Sequence, residues 1–347
     1  MLTSIFCLII VALTNFFIDP FQHYRKSNWY SIVYTNELYL NPGIAKNFNY
    51  DSIVLGTSMT ENFVLSDINE TLSFQKPIKL CIAGAKIKAI NTIANVAFDS
   101  GQVKNVLYGL DVFQFAGKIQ SESNEAASYP YYLYDNNFLN DYQYLFNIDI
   151  LMESARPFIF KYTKPANHPA VNFNEMYSNQ HYRVKNPSER HAISDYYNRA
   201  LAQKPVLEDY AYMTFVENFE LSFLPLIKNN PNIDFYIFYP PYSILQFVDI
   251  QNETWLNDAL EFKAYIYKQL KKYKNVKMYD FQIATQLTHD LKRYRDISHY
   301  HKDINRWILE QIKGNNYRLI SAEQVQGNNK QIEKELEEYT VPRLDLD

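Results

Sequence analysis

Residue types that act together in nucleophilic catalysis occur at two distant places in this sequence. Ser58 follows Gly56 at the end of the apolar run SIVLGTS (52–58), where a turn would expose its hydroxyl. Asp296 and His299 stand three residues apart in YRDISHYHKD, so the carboxylate can reach the imidazole. In such a relay a histidine takes the proton of a serine, and an aspartate orients the histidine. Ser58, His299 and Asp296 are therefore the candidate nucleophile, general base and orienting acid.

Each motif also has an interpretation without chemistry. We expect a helix over MTENFVLSDI, directly after Ser58, and a serine at that place can be an N-terminal cap. If Ser58 starts the helix, the free N–H groups and the helix dipole would also favour negative charge there. The segment with Asp296 and His299 can be a solvated loop before the last core helix. His301 and Asp303 follow closely, so chemistry alone does not single out His299.

The elements that must position these residues are indicated by five short apolar runs. Near-continuous apolar runs are typical of strands buried on both faces. Helical spacing of apolar residues recurs at 86–99, 207–228, 254–273 and 301–313, so the chain predicts an α/β fold with a doubly wound, mostly parallel sheet. Residues 112–205, rich in Tyr, Asn and Pro, are expected to form an inserted region of loops and helices. The five runs are SIVLGTS (52–58), IKLCIAG (78–84), NVLYGLD (105–111), IDFYIFYPP (233–241) and VKMYDF (276–281).

Glycine marks the ends of the first three predicted strands. The chain has only 8 glycines, and Gly56, Gly84 and Gly109 fall at these three ends. In an open parallel sheet, ligands bind at the carboxyl ends of the strands. The sequence therefore places the candidate site at this edge of the sheet.

Composition excludes several classes of protein. The 347 residues are 47% hydrophobic, with only 2 Cys and 8 Gly, which excludes a disordered, collagen-like or disulfide-scaffold chain. The net charge of −4 gives no electrostatic reason to expect a nucleic-acid partner. The 7 histidines show no metal-ligand spacing, and no Gly-rich phosphate loop occurs. We expect neither a metal nor a cofactor.

The two ends of the chain differ from its middle. Residues 1–18, MLTSIFCLIIVALTNFFI, carry no charged side chain, and as a helix they would span about 27 Å, just enough for a bilayer core. We expect a retained transmembrane anchor, with a cleaved signal segment or a buried helix as alternatives. Arg25 and Lys26 follow, and the positive-inside rule taken literally puts the body in the cytoplasm.

The C-terminal residues 320–347 hold seven acidic and three basic side chains, a net −4 that equals the charge of the whole chain. The stretch QGNNKQIEKELEEY predicts a loop and a short solvated helix, or disorder. We therefore divide the chain into an anchor (1–18), an α/β domain (19–319) with its insertion at 112–205, and an acidic tail (320–347).

The order of these features resembles a known superfamily. A serine after the first strand, a glycine after the second and an Asp-x-x-His near the end of the core are similar to the SGNH/GDSL hydrolases. Gly-Thr-Ser at 56–58 and Asp-Pro-Phe at 19–21 resemble its membrane-anchored acyltransferase-like branch. That branch is related to the lipoteichoic-acid D-alanylation protein and the alginate acetylation proteins.

The resemblance implies a flavodoxin-like SGNH fold and a serine esterase or O-acyltransferase. It makes Ser58 the nucleophile, His299 the base and Asp296 its orienting acid, with the backbone N–H groups of Ser58 and Gly84 as oxyanion donors. It implies acyl groups, acetyl above all, on an envelope polysaccharide or similar glycan as the target. It also implies a body outside the cytoplasm, in the periplasm or at the cell surface, and a membrane-bound acyltransferase as a candidate partner.

One position departs from the resemblance. Many members place an asparagine that donates to the oxyanion after the third strand, where this chain has Gly109-Leu110-Asp111. An ionised Asp111 would repel an oxyanion, so it must be protonated, turned away or used to bind a substrate hydroxyl. A non-catalytic SGNH-fold protein that binds a glycan or supports a membrane acyltransferase is therefore the alternative function. A structural α/β domain, with Ser58 as a helix cap, is the third.

Aromatic residues suggest where a glycan would bind. The clusters Tyr-Pro-Tyr-Tyr (129–132) and Tyr-Pro-Pro-Tyr (239–242) could line one groove near the strand ends. Tyrosine rings with their hydroxyls suit sugars, which have apolar faces and polar rims. Asp111, Tyr239 and Tyr242 are thus candidates for substrate binding, with ordinary packing as the alternative.

Overall fold

The computed structural model describes residues 2–118, 129–165, 167–168, 170–177, 186–202 and 205–344. In this part of the chain, five strands form one all-parallel sheet in the order β2–β1–β3–β4–β5. Each strand overlaps one of the five predicted runs, so the parallel α/β sheet is confirmed. The strands are Ser52–Leu55 (β1), Pro77–Lys79 (β2), Asn105–Gly109 (β3), Asp234–Tyr239 (β4) and Val276–Asp280 (β5).

The helices pack in layers around this sheet. α3 packs against α13, whereas α4 packs against α2 and α9. A π-helical turn, Phe219–Phe223, joins α8 to α9. The helices of the described residues are Leu2–Ile18 (α1), Glu37–Asn47 (α2), Leu65–Leu72 (α3), Ile87–Asp99 (α4), Tyr142–Leu145 (α5), Ile148–Thr163 (α6), Glu189–Ala200 (α7), Tyr212–Asn218 (α8), Leu224–Lys228 (α9), Ile244–Asn252 (α10), Leu256–Leu270 (α11), Thr285–Thr288 (α12), Asp303–Gly314 (α13) and Ala322–Glu338 (α14).

The strand order reverses at β1, which brings the ends of β1 and β3 side by side. Leu55 pairs with Tyr108, and all four residues of β1 are buried. Gly109, the last residue of β3, needs its missing side chain, because a Cβ there would lie 2.5 Å from the methyl group of Thr60. In sheets of this strand order, the crevice between β1 and β3 is the usual ligand site. The segments after these two strands carry Ser58 and Asp111.

Helix α1 stands outside the core. Residues 2–10 are exposed on every side of the helix, and Asn15 is its one fully buried residue. The Asn15 amide donates to the carbonyls of Tyr144, Leu145 and Asn147 at 2.9–3.2 Å, which fixes the end of the helix against the body. The alternative of a buried core helix is therefore wrong. As for the transmembrane anchor, none of the described helices is both long and apolar enough to cross a membrane.

The inserted region contains helices α5, α6 and α7, in keeping with the predicted mixture of loops and helices. Two of its stretches, 119–128 and 178–185, lie outside the described residues, as do Met1 of the predicted anchor and residues 345–347 of the tail.

The C-terminal segment is more ordered than the sequence suggested. Residues 322–338 form one helix, α14, which packs against α11 and α10. Val325, Ile332 and Leu336 are buried along one face, and the Asn328 amide donates to Asp280 Oδ2 at 2.9 Å. The prediction of a short solvated helix or disorder is wrong because three apolar positions at helical spacing outweigh the many charges on the outer face.

Candidate active site

The turn after β1 presents Ser58. Ser58 begins a three-residue 3₁₀ turn, Ser58–Thr60, and the next α-helix starts only at Leu65. The predicted helix directly after Ser58 is therefore wrong at its start. The capping side chain is Thr57, whose Oγ1 accepts a hydrogen bond from Met59 N–H at 3.5 Å. The interpretation of Ser58 as the cap is wrong as well.

The structure brings Ser58 and His299 together from positions 241 residues apart. Ser58 Oγ lies 2.8 Å from His299 Nε2, and His299 Nδ1 lies 2.9 Å from both carboxylate oxygens of Asp296. The Asp296 carboxylate also accepts the backbone N–H of His299 at 2.8 Å, so its own loop holds it in place. These distances are those of a serine, histidine and aspartate relay.

Arg295 completes the acidic end of the relay. Its Nε and Nη2 lie 3.0 and 2.6 Å from Asp296 Oδ2, and Nη2 also lies 3.1 Å from His299 Nδ1. Nδ1 cannot donate to Asp296 and accept from Arg295 at once. Because the Asp296 carboxylate can only accept, and Arg295 can only donate, the neutral tautomer that fits the Asp296 contact has its proton on Nδ1. Nε2 is then an acceptor that faces the Ser58 hydroxyl.

Asp296 is held in its ionised form. Burial acts to raise the pKa of Asp296, but the hydrogen bonds from His299 and the charges of His299 and Arg295 outweigh burial and hold the pKa well below its ordinary value. The side chain is 15% exposed, so screening by water is limited. An ionised carboxylate here favours the imidazolium that forms when His299 accepts a proton.

The competing histidine has a different partner. His301 Nδ1 lies 3.1 Å from Asp303 Oδ2, and these side chains are 38% and 74% exposed. That pair lies at the surface before α13. Chemistry alone did not distinguish the two histidines, whereas the contact with Ser58 selects His299.

The two predicted oxyanion donors lie in the segments that follow two adjacent strands, and β2 ends at Lys79, so Gly84 stands five residues beyond it and not at the strand end that the sequence predicted. Within the described residues, the backbone N–H groups of Ser58 and Gly84 make no hydrogen bond. Gly84 has φ +63°, a conformation that favours glycine, and a Cβ would meet no atom within 4 Å. Next to it, Glu37 Oε2 accepts Ala83 N–H at 2.6 Å and so fastens the loop. Both donors are thus available to a ligand.

Asp111 is occupied by its own surroundings. Its Oδ1 accepts the Tyr242 hydroxyl at 2.5 Å and Phe113 N–H at 3.0 Å, and its Oδ2 accepts the Thr57 hydroxyl at 3.1 Å. Burial raises the pKa of Asp111, and the hydrogen bonds from Tyr242, Phe113 and Thr57 offset part of that rise. The carboxyl group is therefore engaged by protein donors, one of which, Thr57, directly precedes Ser58.

The two aromatic clusters do not form one groove. Tyr239 and Tyr242 are 4% and 1% exposed and line a small cavity beside Lys263. Residues 129–132 line a separate open groove with Tyr39 and Tyr142. The interpretation as a single groove is therefore wrong. The alternative of ordinary packing holds for Tyr239 and Tyr242, whereas residues 129–132 lie on the inserted region. Substrate binding by Asp111, Tyr239 and Tyr242 stays a prediction.

Sequence reasoning missed three residues that shape the site. Arg295 directly precedes Asp296, and a basic residue next to a candidate acid could have predicted an ion pair. Thr57, beside Ser58, could have been read as a cap. Glu37 had no signal, because its contact with Ala83 joins positions 46 residues apart.

No group of three or more His, Cys, Asp or Glu side chains could hold a metal ion in the part of the chain that the structure describes. His181 lies outside that part.

No family model, curated protein or solved structure matches this chain.

Proposed function

We propose that this chain is a membrane-associated serine esterase or O-acyltransferase. Its target would be an acyl group, acetyl above all, on an envelope polysaccharide. The observation that carries the enzymatic part is the continuous relay from Ser58 Oγ through His299 to Asp296, with every link at 2.8–2.9 Å. The acyl group and the glycan rest on the resemblance of the sequence to the acyltransferase-like branch of the SGNH/GDSL hydrolases.

The first chemical step follows from the relay. Ser58 Oγ attacks the carbonyl carbon of an ester while its proton passes to His299 Nε2. Asp296 stabilises the resulting imidazolium through its hydrogen bond with Nδ1. The negative oxygen of the tetrahedral intermediate accepts from the N–H groups of Ser58 and Gly84. When the intermediate collapses, the imidazolium returns the proton to the leaving alcohol, and an acyl group stays on Ser58.

The second step resolves the acyl-enzyme. A water molecule or a sugar hydroxyl gives its proton to His299 Nε2 and attacks the acyl carbon. Collapse releases an acid or a new ester and returns the proton to Ser58 Oγ. Water makes the protein an esterase, and a sugar hydroxyl makes it a transferase. Both outcomes use the same residues.

Membrane association is supported by α1. Its residues 2–10 are exposed around the whole helix, and nine of its large apolar side chains face outward. A helix that is apolar on all sides is unfavourable in water and favourable in lipid. We place the body outside the cytoplasm, because that is where envelope polysaccharides lie, with a membrane-bound acyltransferase as its candidate partner.

The test compares variants of the full-length chain in detergent, using an aryl acetate and a fluorophosphonate probe for reactive serines. We expect the wild type to be labelled, and Ser58→Ala or His299→Ala to lose labelling and about 10⁴-fold or more in kcat. Ser66→Ala is the matched control, because Ser66 is an exposed serine in α3. A folded wild type that neither reacts nor hydrolyses would contradict the esterase, and unchanged envelope acetyl content in a deletion strain would contradict the transferase.

A non-catalytic, glycan-binding or accessory role is the second candidate. The observation that favours it is Asp111, a carboxyl group at the third strand end where an amide donor would assist catalysis. Loss of envelope acetylation in the deletion strain, restored fully by Ser58→Ala, would select this role.

A further inference from the structure

Exposed apolar side chains are concentrated in one part of the molecule. Among the described residues, 27 large hydrophobic side chains are exposed. Nine of them belong to α1, ten lie between 131 and 162, and Trp29 lies beside them, which leaves seven for the rest of the described chain. Scattered exposed apolar residues are ordinary, but a contiguous set marks an interaction surface.

Helix α6 has two apolar faces. One face, with Ile150, Ser154 and Pro157, is buried against the body. The opposite face repeats apolar residues at helical spacing and is exposed. Glu153 and Arg156, the charged residues in the middle of the helix, lie to one side of this outer face. The outer face itself is uncharged over more than a third of the helix circumference. The side chains of the outer face and their exposed fractions are Ile148 (63%), Met152 (70%), Ile159 (56%) and Tyr162 (83%).

This outer face is continuous with α1. The two helices pack against each other, and the Asn15 amide binds the carbonyl of Asn147, the residue that caps α6. On the other side, the ring of Trp29 lies 6.1 Å from that of Phe158. α1, Trp29 and the outer face of α6 therefore form one apolar surface, which we call the α1–α6 surface.

The shape of this surface identifies its occupant. A protein partner or a second copy would cover one side of α1, whereas residues 2–10 are exposed on all sides. Lipid surrounds a helix completely. The rim has the residues that favour a membrane interface, since Trp29 and Tyr162 are exposed aromatics and Lys161 and Lys164 are exposed cations at the end of α6. Such cations also attract anionic lipid headgroups.

We infer that the outer face of α6 lies in the surface of an anionic bilayer, so that the chain contacts lipid through two helices. This inference rests on the membrane association proposed above for α1. Its consequence is geometric. The body is fixed to the end of α1 but can still rotate with that helix about the helix axis, and a second contact with lipid fixes the direction in which Ser58 faces. The inference names the bilayer as the occupant of the α1–α6 surface.

A fluorescent probe on single cysteines tests the inference in the full-length chain. Cys7 is exposed and is replaced by Ser, while the buried Cys81 is retained in the core. The environment-sensitive dye NBD is attached to Leu8→Cys, Met152→Cys or, as a matched control, Met213→Cys, which is an exposed methionine on α8. Each protein is reconstituted in phosphatidylcholine and phosphatidylglycerol vesicles, with or without spin-labelled lipid, and the variant without added cysteine gives the background.

We expect the emission at Leu8 and Met152 to shift to the blue and to be quenched by spin-labelled lipid, with no change at Met213. Quenching at Leu8 without quenching at Met152 would overturn the α6 contact and leave the membrane association of α1 standing. No quenching at either position would overturn both. A disulfide between two Met152→Cys chains in vesicles would show a second copy as the occupant and would also overturn the inference. Fluorophosphonate labelling of the same samples reports on Ser58 independently.

A second variant removes the apolar face itself. Met152→Glu with Ile159→Glu is expected to reduce retention of the protein on anionic vesicles in a salt wash, whereas Met213→Glu with Leu201→Glu, also at exposed positions, is expected to leave it unchanged. Thermal unfolding in detergent shows that both variants fold. Equal retention of the folded variants would contradict the contact of α6 with lipid.

Discussion

The two sides of Ser58 are built very differently. On one side, His299, Asp296 and Arg295 come from a single loop and are joined by hydrogen bonds of 2.6–3.0 Å. On the other side, the third strand ends in Asp111, a carboxyl group bound by Tyr242, Phe113 and Thr57, where an amide donor would help an oxyanion.

The contrast separates two parts of the catalysis proposed above. The side with His299 handles the proton, and its aspartate is kept ionised by cations. The opposite side must stabilise negative charge, and its aspartate is desolvated among neutral donors. The same residue type thus has its pKa lowered at Asp296 and raised at Asp111. In the mechanism proposed above, His299 and Asp296 activate the serine, while stabilisation of the oxyanion depends on the backbone N–H groups of Ser58 and Gly84.

The largest effect should come from Asp296. Asp296→Asn leaves an amide that cannot stabilise the imidazolium and permits the wrong tautomer of His299, so we expect kcat/KM for an aryl acetate to fall by about 10³–10⁴. Asp303→Asn, at an exposed aspartate close by in sequence, is the control. If kcat/KM of Asp296→Asn falls by less than tenfold, Asp296 does not assist His299, and the contrast between the two sides of Ser58 has no catalytic meaning.

The next effect tests the oxyanion donors. Gly84→Ala puts a side chain at φ +63°, which strains the loop and turns its N–H, so we expect kcat to fall by about 10²-fold. Gly101→Ala is a matched control, because Gly101 has φ +69° and equally open space but lies outside the site. Both variants should lose about 1 kcal/mol of stability in urea unfolding. Equal kinetics for the two would show that Gly84 N–H takes no part in the reaction.

A smaller effect of the opposite sign is expected at Asp111. Asp111→Asn removes a buried acid next to the Ser58 turn and leaves an acceptor for Tyr242, so we expect kcat/KM to rise by up to about tenfold. Steady-state hydrolysis of the aryl acetate measures it. A decrease of more than tenfold would mean that the carboxylate binds substrate or serves the chemistry, which was one of the possibilities for this residue in the sequence.

The smallest effect concerns stability and pH. A carboxyl group with a lowered pKa stabilises the fold above its unfolded pKa, near 4, and this contribution is lost as the pH falls further. The difference in the free energy of unfolding between the wild type and Asp296→Asn should therefore grow in favour of the wild type as the pH rises from about 3. A carboxyl group with a raised pKa has the opposite effect, because it stabilises the fold only while it stays protonated. The difference in the free energy of unfolding between the wild type and Asp111→Asn should therefore shrink as the pH rises above about 4. Urea unfolding at several pH values measures both slopes, and slopes of the same sign would contradict the comparison.

The sequence predicted what depends on local pattern. Buried strands need apolar runs, and all five were found. The relay could be proposed because Ser58 ends the first run and Asp296 and His299 stand three residues apart, in an order that resembles the SGNH/GDSL hydrolases. What it could not predict depends on contacts between distant segments. Two such contacts are the hydrogen bond from Ala83 N–H to Glu37 and the packing of α14 against α11. The helix expected directly after Ser58 was wrong because Thr57 caps a short turn first.

The separation of Ser58 and His299 by 241 residues has a consequence for the newly made chain. Chains are synthesised from the N-terminus, so β1 and the Ser58 turn exist long before the His299 loop has been made. Until β5 and that loop dock, the serine has no base and is an ordinary unreactive alcohol. If Ser58 is the nucleophile proposed above, its reactivity towards a fluorophosphonate reports that the last part of the sheet has assembled and is a direct assay for completed folding.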